Sequence, residues 1–333
     1  MRLAFACLPM LAATVLLSMP APAVAQEKAS PPRLHRQATT ERSWSANAYW
    51  LESQSGVVLV DALFLAPDVD ALIATIRATG KPLAGILLTH AHIDHFGGIP
   101  RLRKAFGEVP VYATKPTAEA VQPLFERTSR AQWTKAYGDD FPREVFVPDR
   151  VVDSGTTVEI AGMRFTFRDL GPVETGNNTI IENLDRKLLF TGDATVFATA
   201  FYLGEGHSCS ALAALQTLRA NEDPSRMVYS GHYAAMRLGA VLDDNLAQIR
   251  YLRRLMMEAL SKPANRGPDG GLTEPVRAQL VSASARHFAG HADYGFGPES
   301  FASDVNLPGL EAELRKELES GIGCPADSAP AGK

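Results

Sequence analysis

Thr89-His90-Ala91-His92-Ile93-Asp94-His95-Phe96-Gly97-Gly98 follows Ala84-Gly85-Ile86-Leu87-Leu88, an apolar run that reads as a buried strand bounded by turn residues. Three imidazoles and a carboxylate fall within six positions, and this segment holds three of the eight histidines in the chain. His90 and His92 are two apart, so in extended backbone both point to one side. Asp94 and His95 come where the strand gives out, and Gly97-Gly98 are expected to let the chain turn away freely. Nitrogen and carboxylate donors are what zinc-like cations take. Crowding them into one loop reduces the entropy lost on assembling a site. The stretch predicts a metal centre.

Three later stretches carry further donors. Phe190-Thr191-Gly192-Asp193 places a carboxylate at the end of a strand, and Met227-Val228-Tyr229-Ser230-Gly231-His232 reads as strand, glycine, imidazole. The third, Asp169-Leu170-Gly171-Pro172-Val173-Glu174-Thr175-Gly176-Asn177, is a polar loop with one glutamate near its middle.

The run from Thr89 to Gly98 resembles the HxHxDH signature of the metallo-β-lactamase superfamily, and the later stretches follow in that family's order over about residues 44–235. The resemblance implies an α/β fold, a four-layer αβ/βα sandwich, to which the residues beyond it add a C-terminal helical appendage. It implies two zinc ions. His90, His92 and Glu174 would hold one, Asp94, His95 and His232 the other, and Asp193 would lie between them. Asp61, at the end of an apolar strand, would support the metal loop from beneath. Glu174 departs from the pattern, because the family has a histidine at that place. A carboxylate can ligate zinc or merely orient another ligand, and both readings stand at this stage. As a ligand it would make the site more oxygen-rich and tilt it toward Mn or Fe(II).

The chemistry implied is hydrolysis by a hydroxide held between two cations, since metal binding lowers the pKa of water to about 7. Asp94 would orient that water and shuttle a proton to the leaving group. Esters, lactones, lactams including β-lactams, thioesters and phosphodiesters are all within reach of such a site. A non-catalytic metal- or ligand-binding protein on the same fold is the reading from another class. Two residues are candidate substrate contacts, His207 in Gly204-Glu205-Gly206-His207 and Tyr233 beside His232. Each also has a structural reading, as a helix cap and as a packing residue.

Residues 1–25 have the form of a cleavable export signal: Met1-Arg2, an apolar run from Leu3 to Met19, and Ala23-Val24-Ala25 before Gln26. This predicts a periplasmic or secreted protein without stable membrane insertion after cleavage. With 33 Lys and Arg against 37 Asp and Glu and no basic block, the composition argues for a small-molecule substrate rather than a nucleic acid. Cys7 leaves with the signal, and pairing of Cys209 with Cys324 is left open.

Residues 26–42 read as a linker or N-terminal arm, and 43–237 as the metallo-β-lactamase-like domain. Within it, Trp44–Leu51 and Gly56–Leu63 read as strands and Pro67–Thr79 as a helix. Thr156–Ile160 with Met163–Arg168, and Thr179–Glu182 with Lys187–Phe190, read as hairpins. Residues 117–145 read as helical, with Phe125, Trp133, Tyr137 and Phe141 as core or pocket roof. Residues 238–333 read as a helical extension packed on the sandwich. One apolar stripe there runs through Leu242, Leu246, Ile249, Met256 and Leu260, with Arg250, Arg253 and Arg254 outside it. A second runs through Leu307, Leu310, Leu314 and Leu318, and either could serve a homodimer.

Overall fold

The computed structural model describes residues 30–128 and 132–328. In β3 (Val57–Val60) all four side chains are buried, Val57 and Leu59 on one face, Val58 and Val60 on the other. Side chains alternate along a strand, so one that is apolar throughout must be covered on both faces. β2 (Asn47–Glu52) behaves alike, with Ala48 and Trp50 facing one way and Tyr49 and Leu51 the other.

The first faces pack on α1 (Ala66–Ala78) through Val69, Leu72 and Ile73. The second faces meet Phe165, Phe167 and Phe190 of a second sheet. That sheet in turn buries Ile180, Leu189 and Val228 under helices. The result is helices, sheet, sheet, helices: the α/β sandwich that the sequence implied.

The first sheet has the order β1 (Arg33–Ala38), β2, β3, β4 (Leu83–Leu87), β5 (Val111–Thr114), β6 (Arg150–Val152). It is antiparallel through β3 and parallel from β3 to β6. The second runs β12 (Met236–Arg237), β11 (Met227–Ser230), β10 (Leu188–Gly192), β9 (Asn178–Asn183), β8 (Met163–Gly171), β7 (Thr157–Ile160). Between β4 and β5 come α2 (Ile93–Phe96) and α3 (Ile99–Phe106), and between β5 and β6 come α4 (Lys115–Thr128) and α5 (Gln132–Tyr137). α6 (Ser208–Asn221) links β10 to β11, and α7 (Leu238–Leu260), α8 (Glu274–His287), α9 (Pro298–Ser300) and α10 (Leu307–Ser320) follow β12.

Four sequence expectations change. Arg33–Ala38, placed in a linker or arm, is an edge strand paired with β2 along its length, its His35 ring stacked on Trp50 at 5.0 Å. Its polar side chains suit an edge and hid the strand. Gly97 and Gly98 keep helical backbone rather than freeing a turn. They are glycine because a Cβ would strike Phe64 at the first and the Ala62 carbonyl at the second.

Arg253, placed outside the α7 stripe, is 3 % exposed. Its guanidinium donates to Asp327 at 2.7 Å, Glu317 at 2.9 Å and Ser208 Oγ at 2.6 Å. A buried charge is tolerated when it is paired and fully hydrogen-bonded. Leu318, placed in the second stripe, is exposed at 40 %.

The C-terminal helices pack on the sandwich, as the sequence implied. Leu242, Leu246, Ile249 and Met256 of α7 and Leu310 and Leu314 of α10 share one buried cluster with Leu189 and Val228 of the second sheet. Residues 1–25, read as an export signal, lie outside the described residues. No helix among the described residues is long and apolar enough to cross a membrane.

Cys209 and Cys324 form a disulfide across a separation of 115 residues, beside the Arg253 cluster. A cross-link closing so long a loop stabilises mainly by restricting the unfolded chain, typically by about 2–4 kcal/mol. Cys324→Ser should therefore lower the urea-unfolding free energy by about that amount. An unchanged unfolding midpoint would show that the cross-link contributes nothing to global stability.

Candidate metal centre

The centre lies where β3, β4, β10 and β11 end. Immediately after β3, Asp61 takes a left-handed backbone, φ +59°, uncommon outside glycine and best tolerated by Asp and Asn. Its N–H donates to the Leu87 carbonyl at 2.9 Å, while Ala62 N donates to the His95 carbonyl at 2.7 Å. The buried Asp61 carboxylate then accepts from Thr89 N (2.9 Å), Thr89 Oγ1 (2.8 Å) and His95 Nδ1 (2.9 Å). Thr89 Oγ1, having given its proton to Asp61, accepts from His90 Nδ1 at 3.0 Å. One carboxylate thus fixes two imidazoles, His95 directly and His90 through Thr89, with both Nε2 atoms left to face inward. His232 is fixed similarly, its Nδ1 donating to the Trp44 carbonyl at 2.7 Å. Such outer partners set tautomer and ring direction in metal-binding histidines.

The inward atoms form two groups. One joins His90, His92, Glu174 and Asp193, the other Asp94, His95, Asp193 and His232. His90 Nε2 lies 3.8 Å from Glu174 Oε2 and 3.7 Å from Asp193 Oδ2, and His92 Nδ1 is 2.9 Å from Glu174 Oε1. In the other group His95 Nε2 is 3.2 Å from Asp94 Oδ2 and 3.4 Å from Asp193 Oδ2. His232 Nε2 is 3.2 Å from Asp94 Oδ2 and 2.9 Å from Asp193 Oδ2.

Donors at about 2.1 Å around a tetrahedral cation are about 3.4 Å apart, which these separations bracket. His90 Nε2, His95 Nε2, Glu174 Oε2 and Asp193 Oδ1 are buried and without a hydrogen-bond partner among the described residues. An unpaired buried polar atom costs about 1–3 kcal/mol, and four of them among the residues of these two groups fit cations there. Gly231 is needed here, since a Cβ would run into Asp193 Oδ1 and the His95 ring.

The structure brings together all seven residues that the sequence placed in the ligand set: His90, His92, Asp94, His95, Glu174, Asp193 and His232. Glu174 points into the first group. Burial pushes its carboxyl up to about 7, against the opposing charge of His92. Burial and the neighbouring His95 hold His90 well below its ordinary value, in the neutral form a ligand requires. Burial alone would raise Asp94, but His95 and His232 override it and hold the carboxyl well below the usual carboxylate range.

Neither candidate substrate contact lines the metal cavity itself. His207 stands at the N-terminus of α6, over an adjoining recess whose other lining residues, Arg127, Tyr202, Gly204 and Glu205, also line the metal cavity. Tyr233 does not line the metal cavity; its hydroxyl accepts from Tyr294 N at 3.1 Å.

Trp133, which the sequence offered as core or pocket roof, joins residues that the sequence did not mark in completing the surroundings. Glu205 Oε1 lies 3.6 Å from His92 Nε2, and the same carboxylate accepts from Thr175 Oγ1, Gly176 N and Arg127. The tight Gly204-Glu205-Gly206 turn was the available signal, but it is Glu205, not His207, that turns inward. The Tyr202 ring packs edge-on against His92 at 5.5 Å. Above the donors opens a cavity of about 420 Å³, walled by Trp44, Trp133, Tyr202, Tyr294, Phe296 and Phe301.

The family model described as the metallo-beta-lactamase superfamily matches residues 42–232, and the chain belongs to that superfamily. A hydroxyacylglutathione hydrolase of Bdellovibrio bacteriovorus is 28% identical over 165 residues, 50% of this chain and 55% of that protein. A ribonuclease of Thermus thermophilus is 26% identical over 113 residues, 34% of this chain and 26% of that protein. The chain thus spans from about a quarter to just over half the length of these curated relatives, which are hydrolases. Among solved structures, a beta-lactamase domain protein from Burkholderia ambifaria has a TM-score of 0.62 at 18% identity, with 91% of each chain covered. A metallo-beta-lactamase family protein from Thermus thermophilus has a TM-score of 0.59 at 18% identity, covering 88% of this chain and 96% of that one. These likenesses show the fold, and their coverage extends it into the C-terminal helices.

Because Asp61 orients ligands in both groups, Asp61→Ala should weaken retention of both cations, by about 10–100-fold each. Competition with a chromogenic chelator measures this. Loss confined to one cation would contradict the relay through Thr89.

Proposed function

We propose that the chain is an exported two-cation hydrolase acting on a neutral ester or lactone with an aromatic or apolar part. The observation that carries this is the pair of ligand groups sharing Asp193 at the floor of the aromatic-walled cavity. When bound, the ions supply Lewis acidity toward the scissile carbonyl and lower the pKa of water. Zinc suits both groups, and the extra carboxylate of Glu174 brings Mn and Fe(II) within range.

The chain's own residues divide the remaining tasks. Asp94 lines the cavity and is held ionised by His95 and His232, so it can orient the attacking water and carry its proton to the leaving alkoxide. The aromatic walls exclude bulk water and hold an apolar group by contact.

Charge supports a neutral substrate. Asp94, Asp193 and Glu174 together offset most of the charge of two dications. Among the described residues, the one Lys or Arg side chain lining the cavity, Arg127, is engaged by Glu205 at 2.7 Å. A β-lactam brings a carboxylate that needs a free cation, and a polynucleotide brings many phosphates. Both fit this mouth less well, and Asp304 on its rim adds a further negative charge. The disulfide is at home in an oxidising compartment, in keeping with export.

The test is a panel of 4-nitrophenyl and alkyl esters, lactones, a chromogenic cephalosporin and bis(4-nitrophenyl) phosphate, run on protein reconstituted with Zn, Mn or Fe(II). Esters and lactones should be turned over fastest. Preferred hydrolysis of the cephalosporin or the phosphodiester would overturn the substrate assignment, and binding without turnover of any compound would favour a non-catalytic protein. Asp94→Ala should retain part of its metal and lose about 10²–10⁴-fold in turnover. Near-wild-type turnover in that variant would remove Asp94 from the mechanism.

A further inference from the structure

Tyr294 lies beyond residues 42–232, the part of the chain that matches the family model, yet it lines the metal cavity. Its ring stands edge-on to the ligand His232, centroids 4.7 Å apart at 89°, and stacks on Phe301 at 5.3 Å. The residue is 7 % exposed, and no hydrogen bond to its hydroxyl is found among the described residues. Buried tyrosine hydroxyls ordinarily have a partner. This one has the cavity, and a phenol carries its proton at neutral pH.

The backbone is built to hold it there. Tyr294 has φ +60°, an outlier for a bulky side chain, between Asp293 and Gly295. Its N–H donates to Tyr233 Oη at 3.1 Å. Ala292 exchanges two backbone hydrogen bonds with the segment after β10, Ala200 N to Ala292 O at 2.8 Å and Ala292 N to Ala198 O at 2.9 Å. His291 Nε2 meets Asp244 Oδ1 at 3.1 Å. A non-glycine residue kept in left-handed backbone by this many contacts is the pattern found where side-chain placement serves function.

We infer that the Tyr294 hydroxyl donates a hydrogen bond to the substrate's carbonyl oxygen as that oxygen gains negative charge during attack. The donor is fixed before the substrate arrives, in a water-poor cavity where such a bond is strongest. Tyr233 is then a positioning residue, acting through the backbone of Tyr294. This inference rests on the carbonyl-hydrolase reading proposed above.

Tyr294→Phe removes one oxygen that bonds to nothing in the described structure, so metal content and melting temperature should stay at wild-type values. With 4-nitrophenyl phenylacetate and ethyl phenylacetate, kcat should fall about 100-fold on both and KM should change less than about threefold. Affinity for ethyl benzylphosphonate, a tetrahedral mimic, should fall by a similar factor. A kcat within about threefold of wild type, a loss confined to the ethyl ester, or loss of metal would each overturn the inference. The first two leave the hydrolase reading intact; the second would assign the hydroxyl to the leaving group instead. Wild-type protein that holds both cations but turns over no ester or lactone would remove the hydrolase reading, and the inference with it.

Discussion

A carboxylate outside the ligand set holds the centre together. Asp61 ties the end of β3 to Thr89 and His95 and, through Thr89, fixes His90. Its left-handed backbone is the cost of turning a strand end back under a loop, and the hydrogen bonds at its N–H and carboxylate offset that cost. Across the gap, Asp193 supplies one oxygen near His90, His95 and His232. The two sheets are joined at this same edge by Thr179 N to Thr89 O at 2.8 Å and Asn47 N to Gly231 O at 2.6 Å. The sandwich core sets how far apart the strand ends lie, and those bonds lock the ligands' spacing to it.

Glu174 changes the electrostatics more than the geometry. It points into the first group at distances compatible with ligation. A third carboxylate lowers the net positive charge that two dications present to a substrate. Glu205 compounds this behind His92, while Arg127 pairs with Glu205 rather than facing the cavity alone. On the function proposed above, the cavity would select by aromatic contact and shape, with little charge left over for an anion.

The centre was legible in sequence where its parts are local. Four donors sit in one loop after a continuous apolar strand, and Asp193 and His232 each follow a strand and a glycine. Near-continuous apolar runs gave β2 and β3, because strands buried on both faces leave few polar positions. What stayed hidden depends on distant packing. Tyr294 and Phe296 reach the cavity from the C-terminal helical region, and Trp44 from before β2. Arg253 looked solvent-facing because its partners lie 64 and 74 residues further along. β1 was missed because an edge strand can be polar, and the inward turn of Glu205 follows from loop closure against Thr175 and Gly176.

The central claim is that Glu174 completes a two-cation centre. Metal content per chain, by elemental mass spectrometry on purified wild type, Glu174→Ala and Glu174→His, tests it most directly. The structure predicts two ions in the wild type, one or fewer in Glu174→Ala, and two again in Glu174→His, with the preference shifted toward zinc. One ion or none in the wild type, unchanged by Glu174→Ala, would contradict it and place Glu174 outside the ligand set.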